Sequence, residues 1–184
     1  GSFSKHFSKL VYTIHEDTQK RIWLGTKGDG IYLLTPQSHL PNLSYSIQHF
    51  QHDKNNPKSL SHNNIYDITE DKEGNIWIGT YGGGLNKLQG GDITNPNFLN
   101  YNNGLEFYPK EVGAKIRCLL SDNNNTLWVG TTDGLFQIEQ ENNEYSVYHS
   151  KKTPGNPACL GDNNVHYLYQ DSHNTIWMGL LSLY

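Results

Sequence analysis

Each of the four tryptophans in this chain opens the same short signature. Trp23-Leu24-Gly25-Thr26, Trp77-Ile78-Gly79-Thr80, Trp128-Val129-Gly130-Thr131 and Trp177-Met178-Gly179-Leu180 follow one another at intervals of 54, 51 and 49 residues. Self-similarity at a period near fifty marks a modular array of small units, none of which can bury its apolar face alone. That restricts the 184 residues to folds built by stacking or ringing one repeated element.

Inside the period, the pattern of apolar residues defines the unit. Alternating stretches at 11–17, 65–71, 116–122 and 165–171 each end in Asp, six residues ahead of the Trp. Turn formers fill the gap, as in Asp71-Lys72-Glu73-Gly74-Asn75 and Asp122-Asn123-Asn124-Asn125. Alternating strand, polar turn and short apolar strand together read as a β-hairpin. Glycine turns follow in the first three copies at Gly28-Asp29-Gly30, Gly82-Gly83-Gly84 and Asp133-Gly134, each leading to a further apolar stretch at 31–34, 85–88 and 135–138. Looser aromatic stretches at 45–50, 98–101 and 145–148 close the units. Four antiparallel strands, a to d, in about fifty residues are the blade of a β-propeller.

The expected fold is therefore all-β: a partial propeller over residues 1–184, with three complete four-stranded blades plus half of a fourth. Blade boundaries fall at about 10–52, 60–103, 112–150 and 161–184. Strand a is innermost and strand d lies at the rim. Residues 3–10 are a candidate extra outer strand, and 180–184 lack the glycine turn of the other copies, so the chain reads as a fragment or a truncated product. The Trp ring fills the gap between facing sheets, and the Gly two residues on shares its face and leaves room for a neighbour's bulk.

Composition excludes several classes. The formal net charge of −4 comes with no basic cluster, which argues against nucleic acid. No apolar run reaches membrane-spanning length. Cys118 and Cys159 match no metal spacing and read as isolated thiols. His49, His52 and His62 do not converge on a strand–loop segment as they would on a helix, so no metal site is expected. There is no phosphate-binding glycine loop, dinucleotide fingerprint or serine-nucleophile motif, and no cofactor is expected.

Several segments carry a family resemblance: Ser59-Leu60-Ser61-His62-Asn63-Asn64-Ile65, Glu70-Asp71, Gly74-Asn75-Ile76-Trp77-Ile78-Gly79-Thr80 and Gly83-Gly84-Leu85. Together they resemble the two-component regulator propeller repeat, over about residues 10–180. The second copy matches best. The third has Asn125-Thr126 where the family has Gly-Asn, and the fourth has His173-Asn174-Thr175 and no Thr after Gly179. The resemblance implies the periplasmic sensor region of a Bacteroidetes hybrid two-component system. In that family two seven-bladed propellers precede a β-sandwich, a membrane helix and a kinase, and the ligands are breakdown products of polysaccharides. It implies no chemistry in this chain itself.

Connectivity sorts the loops. The d–a and b–c loops share one face, and the a–b and c–d loops share the other. Asp17, Asp71, Asp122 and Asp171 cap the a–b turns. The opposite face varies between copies. There the second residue of strand a is Tyr12, Tyr66, Arg117 or His166, and the b–c loops add Lys27, Tyr81 and Asp133. Aromatic faces against sugar rings, with amides and charges against hydroxyls, suit carbohydrate, and Arg117 also suits a carboxylate or sulfate. These seven residues are the candidate ligand set. Three functions remain open: an oligosaccharide-sensing module, an enzyme of the streptogramin-lyase type with His166 as base, and a scaffold without a ligand. Exposed terminal blades point to homo-oligomers.

Overall fold

The computed structural model describes residues 10–37 and 44–181. The described residues form four antiparallel sheets in chain order. The first contains β1 (Val11–Glu16), β2 (Ile22–Thr26), β3 (Ile31–Pro36) and β4 (Tyr45–Phe50). The second contains β5 (Ile65–Glu70), β6 (Ile76–Thr80), β7 (Gly84–Leu88) and β8 (Phe98–Leu99). The third contains β9 (Ile116–Ser121), β10 (Leu127–Thr131), β11 (Gly134–Glu141) and β12 (Glu144–Ser150), and the last β13 (Val165–Gln170) and β14 (Ile176–Leu180). This is the expected all-β arrangement of three four-stranded blades and a two-stranded one. The first strands β1, β5, β9 and β13 neighbour one another in sequence order and line a common inner edge. Of the extra outer strand considered at 3–10, only Leu10 belongs to the described residues.

The Asp–Trp spacing has a direct physical cause. In every hairpin one carboxylate oxygen of the Asp accepts the backbone N–H four residues on, at 2.9–3.0 Å. The other oxygen accepts the indole N–H of the Trp six residues on, at 2.8, 2.7, 2.9 and 2.7 Å. The Asp thus closes the a–b turn and orients the ring. The third residue after each Asp has positive φ: Lys20, Gly74, Asn125 and Asn174. Asn tolerates that conformation next best after Gly, which accounts for Asn125 and Asn174 in the diverged copies.

The rings oriented in this way fill the junctions. Trp23 is wholly buried among Ile65, Ile68, Ile76, Ile78 and Leu88 of the second blade, and Trp77 packs with Leu119, Leu127 and Ile138 of the third. Truncating such a ring costs about 3–5 kcal/mol, enough to explain the signature by packing alone. The glycines are needed for the same approach. A Cβ on Gly25 would stand 2.7 Å from Ile65, one on Gly79 2.5 Å from Ile116, and one on Gly130 2.8 Å from Val165. Strand β8 is shorter than the aromatic stretch suggests. The Asn100 carbonyl accepts from Asn103 and Leu105 N–H, and its side chain from Asn102 N–H, so the chain turns away there. It then delivers Leu105 and Tyr108 into the junction between the second and third blades.

Both rims are stitched between blades. On one, the b–c turn of each blade bonds to the segment leading into the next inner strand: Gly28 and Gly30 N–H to Asn63 O, Gly82 and Gly84 N–H to Ala114 O, and Gly134 N–H to Asn163 O. On the other, the a–b turns join: Thr18 to the Glu70 carboxylate, Lys72 N–H to the Asn125 side chain, and Asn123 N–H to Gln170.

Candidate functional site

Every inner strand is interrupted at the same place. Val11 pairs with Thr26 and Thr13 with Gly25, leaving Tyr12 out of register. Tyr66, Arg117 and His166 are skipped in the same way in β5, β9 and β13. Each is the extra residue of a β-bulge, a device that re-aims one side chain while the ladder continues. The bulge also explains the apolar spacing. Positions one and four, not one and three, turn back toward the preceding blade, as Ile65 and Ile68 or Ile116 and Leu119 do in the cores. Opposite the bulge, the signature threonines Thr26, Thr80 and Thr131 are wholly buried. Their hydroxyls donate to the carbonyls of Gly30, Gly84 and Gly134 across the b–c turn. The same turn supplies Lys27 and Tyr81.

The bulges and turns together build an aromatic row with cations along it. Tyr12 meets Tyr66 edge-on, with centroids 4.9 Å apart. Tyr66 stacks on Tyr81 at 4.8 Å with a 23° tilt. The Arg117 guanidinium lies 5.4 Å from the Tyr81 centroid, the Lys115 ammonium 5.8 Å from it, and the Lys27 ammonium 6.0 Å from that of Tyr12. Such contacts are each worth about 0.5–1 kcal/mol at exposed sites. Burial, then its contact with Tyr12, raises the Tyr66 hydroxyl above the ordinary phenol range. His166 is pushed down by desolvation and then by the Arg117 charge, so its exposed ring is neutral at pH 7.

Of the seven candidate residues, Tyr12, Tyr66, Tyr81, Arg117 and Lys27 come together in this row, and His166 flanks it beside Arg117. Asp133 does not join them. Its carboxylate pairs with Lys151 at 2.7 Å, and its carbonyl meets the His149 ring at 2.8 Å. Two asparagines of the d–a loops serve the loops themselves: Asn63 accepts from His52 N–H and Asn163 from Lys152 N–H. Lys115 was absent from the sequence-derived set. Its place immediately before an inner strand, matching Asn64 and Asn164, was the available signal. Asp67, behind Tyr66, is half-buried between blades and raised by desolvation, although Leu119 N–H, Ile68 N–H and the Thr13 hydroxyl all donate to it. Burial, with Asp67 adding to it, pushes the Cys118 thiol up to about 12, leaving it inert. Among the described residues no group of three or more His, Cys, Asp or Glu converges as metal ligands would.

Along the row Tyr12, Lys27 and Lys115 are exposed, and Tyr66, Tyr81 and Arg117 are half-buried. A cavity of about 450 Å³ lies elsewhere, against Lys152, Pro154, Cys159 and Leu160, and another of about 290 Å³ borders Leu88, Asp92 and Asn97.

The family model described as two component regulator propeller matches residues 7–28, 59–82, 111–133 and 159–181. Among solved structures, the chain is similar to the extracellular domain of BT3049 from B. thetaiotaomicron, described as a hybrid two component system. Identity is 25% over 96% of this chain and 21% of that one, with a TM-score of 0.66. It is similar in fold to PorZ, a surface component of the type-IX secretion system of Porphyromonas gingivalis. That match has 14% identity, covers 93% of this chain and 25% of that one, and has a TM-score of 0.66. A streptogramin B lyase shares the fold at 15% identity over 90% of this chain and 46% of that one, with a TM-score of 0.54. The chain thus spans under half the length of each of these structures. No curated protein matches it.

Proposed function

This chain belongs to the two component regulator propeller family, and from that premise we propose that it is a ligand-sensing part of a periplasmic hybrid two-component sensor, recognising an oligosaccharide released from a polysaccharide. The observation that carries the reading is the row at the bulges. In all four blades the one inner-strand residue freed from the ladder lies on the same rim, and in this chain those residues are Tyr12, Tyr66, Arg117 and His166. Unlike residues at structurally equivalent positions suit recognition better than scaffolding, because packing alone would favour like residues there. The extracellular placement of the BT3049 domain supports the periplasmic part of the reading.

An enzymatic reading has less to stand on. His166 would be its base, yet among the described residues no carboxylate hydrogen-bonds that ring to orient it. The described group that perturbs it electrostatically is the Arg117 cation. The similarity to the lyase is one of fold.

Calorimetric titration of the chain with size-fractionated oligosaccharide pools from plant, host and bacterial polysaccharides tests the proposal. At least one pool is expected to bind, and Tyr66→Ala with Tyr81→Ala to weaken that binding about tenfold or more. Binding unaffected by both substitutions would remove the row as the site.

A further inference from the structure

The ring faces of the row are largely engaged already. Tyr66 is stacked on Tyr81 and met edge-on by Tyr12, while Tyr81 carries Arg117 and Lys115 over its ring. What the rim offers to a ligand is its phenol hydroxyls and its N–H groups, a strongly donor-rich set. Among the described residues no carboxylate lies within ion-pair distance of Lys27, Lys115 or Arg117. Three acids close in sequence are committed, Asp67 to backbone N–H groups and Thr13, Asp133 to Lys151, and Asp29 to Tyr32 and Gln51, and the exposed Glu111, four residues before Lys115, forms no ion pair with it. The Arg117 Nε is buried and makes no hydrogen bond, and the Asn164 Oδ1 on the adjacent blade is likewise buried and unpaired. Buried polar atoms in folded proteins are nearly always satisfied by protein or ordered water, so this donor and acceptor leave hydrogen-bonding capacity on the rim that water or a ligand takes up, as His15 Nε2 and Thr35 Oγ1 do elsewhere in the chain.

We propose that the ligand of this rim is an anionic saccharide, its carboxylate or sulfate taken by Arg117 with Lys115 and Lys27, and its hydroxyls by the tyrosines and Asn164. This rests on the saccharide-binding reading above and narrows it to uronic acid-containing or sulfated sugars. A guanidinium presents paired donors that match either anion in fork geometry.

The test compares chemically matched probes on the same chain: pools of oligouronates and of sulfated glycosaminoglycan oligosaccharides, each alongside its carboxyl-reduced or desulfated counterpart. Calorimetry is expected to show binding to a charged pool and loss of about tenfold or more when the charge is removed. Which pool binds distinguishes carboxylate from sulfate. Raising salt from 0.1 to 1 M, over which the screening length falls from about 10 Å to about 3 Å, weakens that binding. Arg117→Gln abolishes most of it and Arg117→Lys restores part. Exposed Lys27→Gln and Lys115→Gln each weaken it several-fold in a chain whose thermal unfolding is unchanged, which separates recognition from folding. If neutral counterparts bind equally and Arg117→Gln has no effect, the anionic assignment falls while the saccharide reading stands. If no pool of either kind binds, both fall.

Discussion

At the scale of single residues, the Asp of each hairpin is the most constrained side chain in the repeat. Asp17 is buried and holds three groups: Arg21 N–H at 2.9 Å, the Arg21 side chain at 2.6 Å and the Trp23 indole at 2.8 Å. Asp171 makes the equivalent turn and indole bonds, but it is only half-buried and the Trp177 ring it holds is exposed. Asp17→Ala would strand a buried guanidinium and a buried indole N–H, and a loss of about 3–5 kcal/mol is expected from chemical denaturation. Asp171→Ala should cost far less, because water replaces the lost acceptor. Equal losses at the two sites would contradict this account. Cys159 shows the same logic in another loop. Its sulfur accepts from Thr153 N–H and meets Thr153 O, as the Ser59 hydroxyl does with Asp53 in the loop between the first and second blades. It is a serine's substitute in a repeated turn, which the sequence spacing of cysteines alone could not reveal.

At the scale of elements, much was legible. The six-residue Asp–Trp spacing and the glycine turns placed the hairpins, because both obey local geometry. The bulge was harder to read. It depends on which residue of strand a faces which residue of strand b, and only the apolar residues at positions one and four hint at it. Lys115 escaped for a related reason: its partner Tyr81 is brought to it by an isolated bridge between blades, not by any local pattern. The junction glycines yield a direct test. In Gly79→Ala the new methyl meets Ile116 and Leu119, whereas in Gly179→Ala its closest neighbour is Tyr167 Cβ at 3.3 Å on an uncovered face. The first substitution is expected to destabilise by about 1–3 kcal/mol and to lower the melting temperature measurably. The second should change it little.

At the scale of the whole molecule, each internal junction joins a face bearing Trp to a face bearing the position-one and position-four aliphatics. The two outer faces are the halves of one more such junction. On the last blade Tyr167 is 64% and Trp177 59% exposed, and on the first Ile14 is 69% exposed. Exposed apolar sheet faces of this kind drive association. The 184-residue chain is expected to associate head-to-tail at micromolar concentration in sedimentation velocity, and Trp177→Ser with Ile14→Ser to shift it toward monomer. A strictly monomeric chain across that range would refute the expectation.

The bulges carry a consequence for how such a protein diversifies. A residue lifted out of the ladder can be exchanged without moving the register of either neighbour, so positions 12, 66, 117 and 166 act as interchangeable sockets on a fixed frame. A combinatorial library randomised at those four positions alone should return mostly folded members with altered ligand preference. The same number of changes placed at Ile65, Ile68, Ile116 and Leu119 should return mostly unfolded ones.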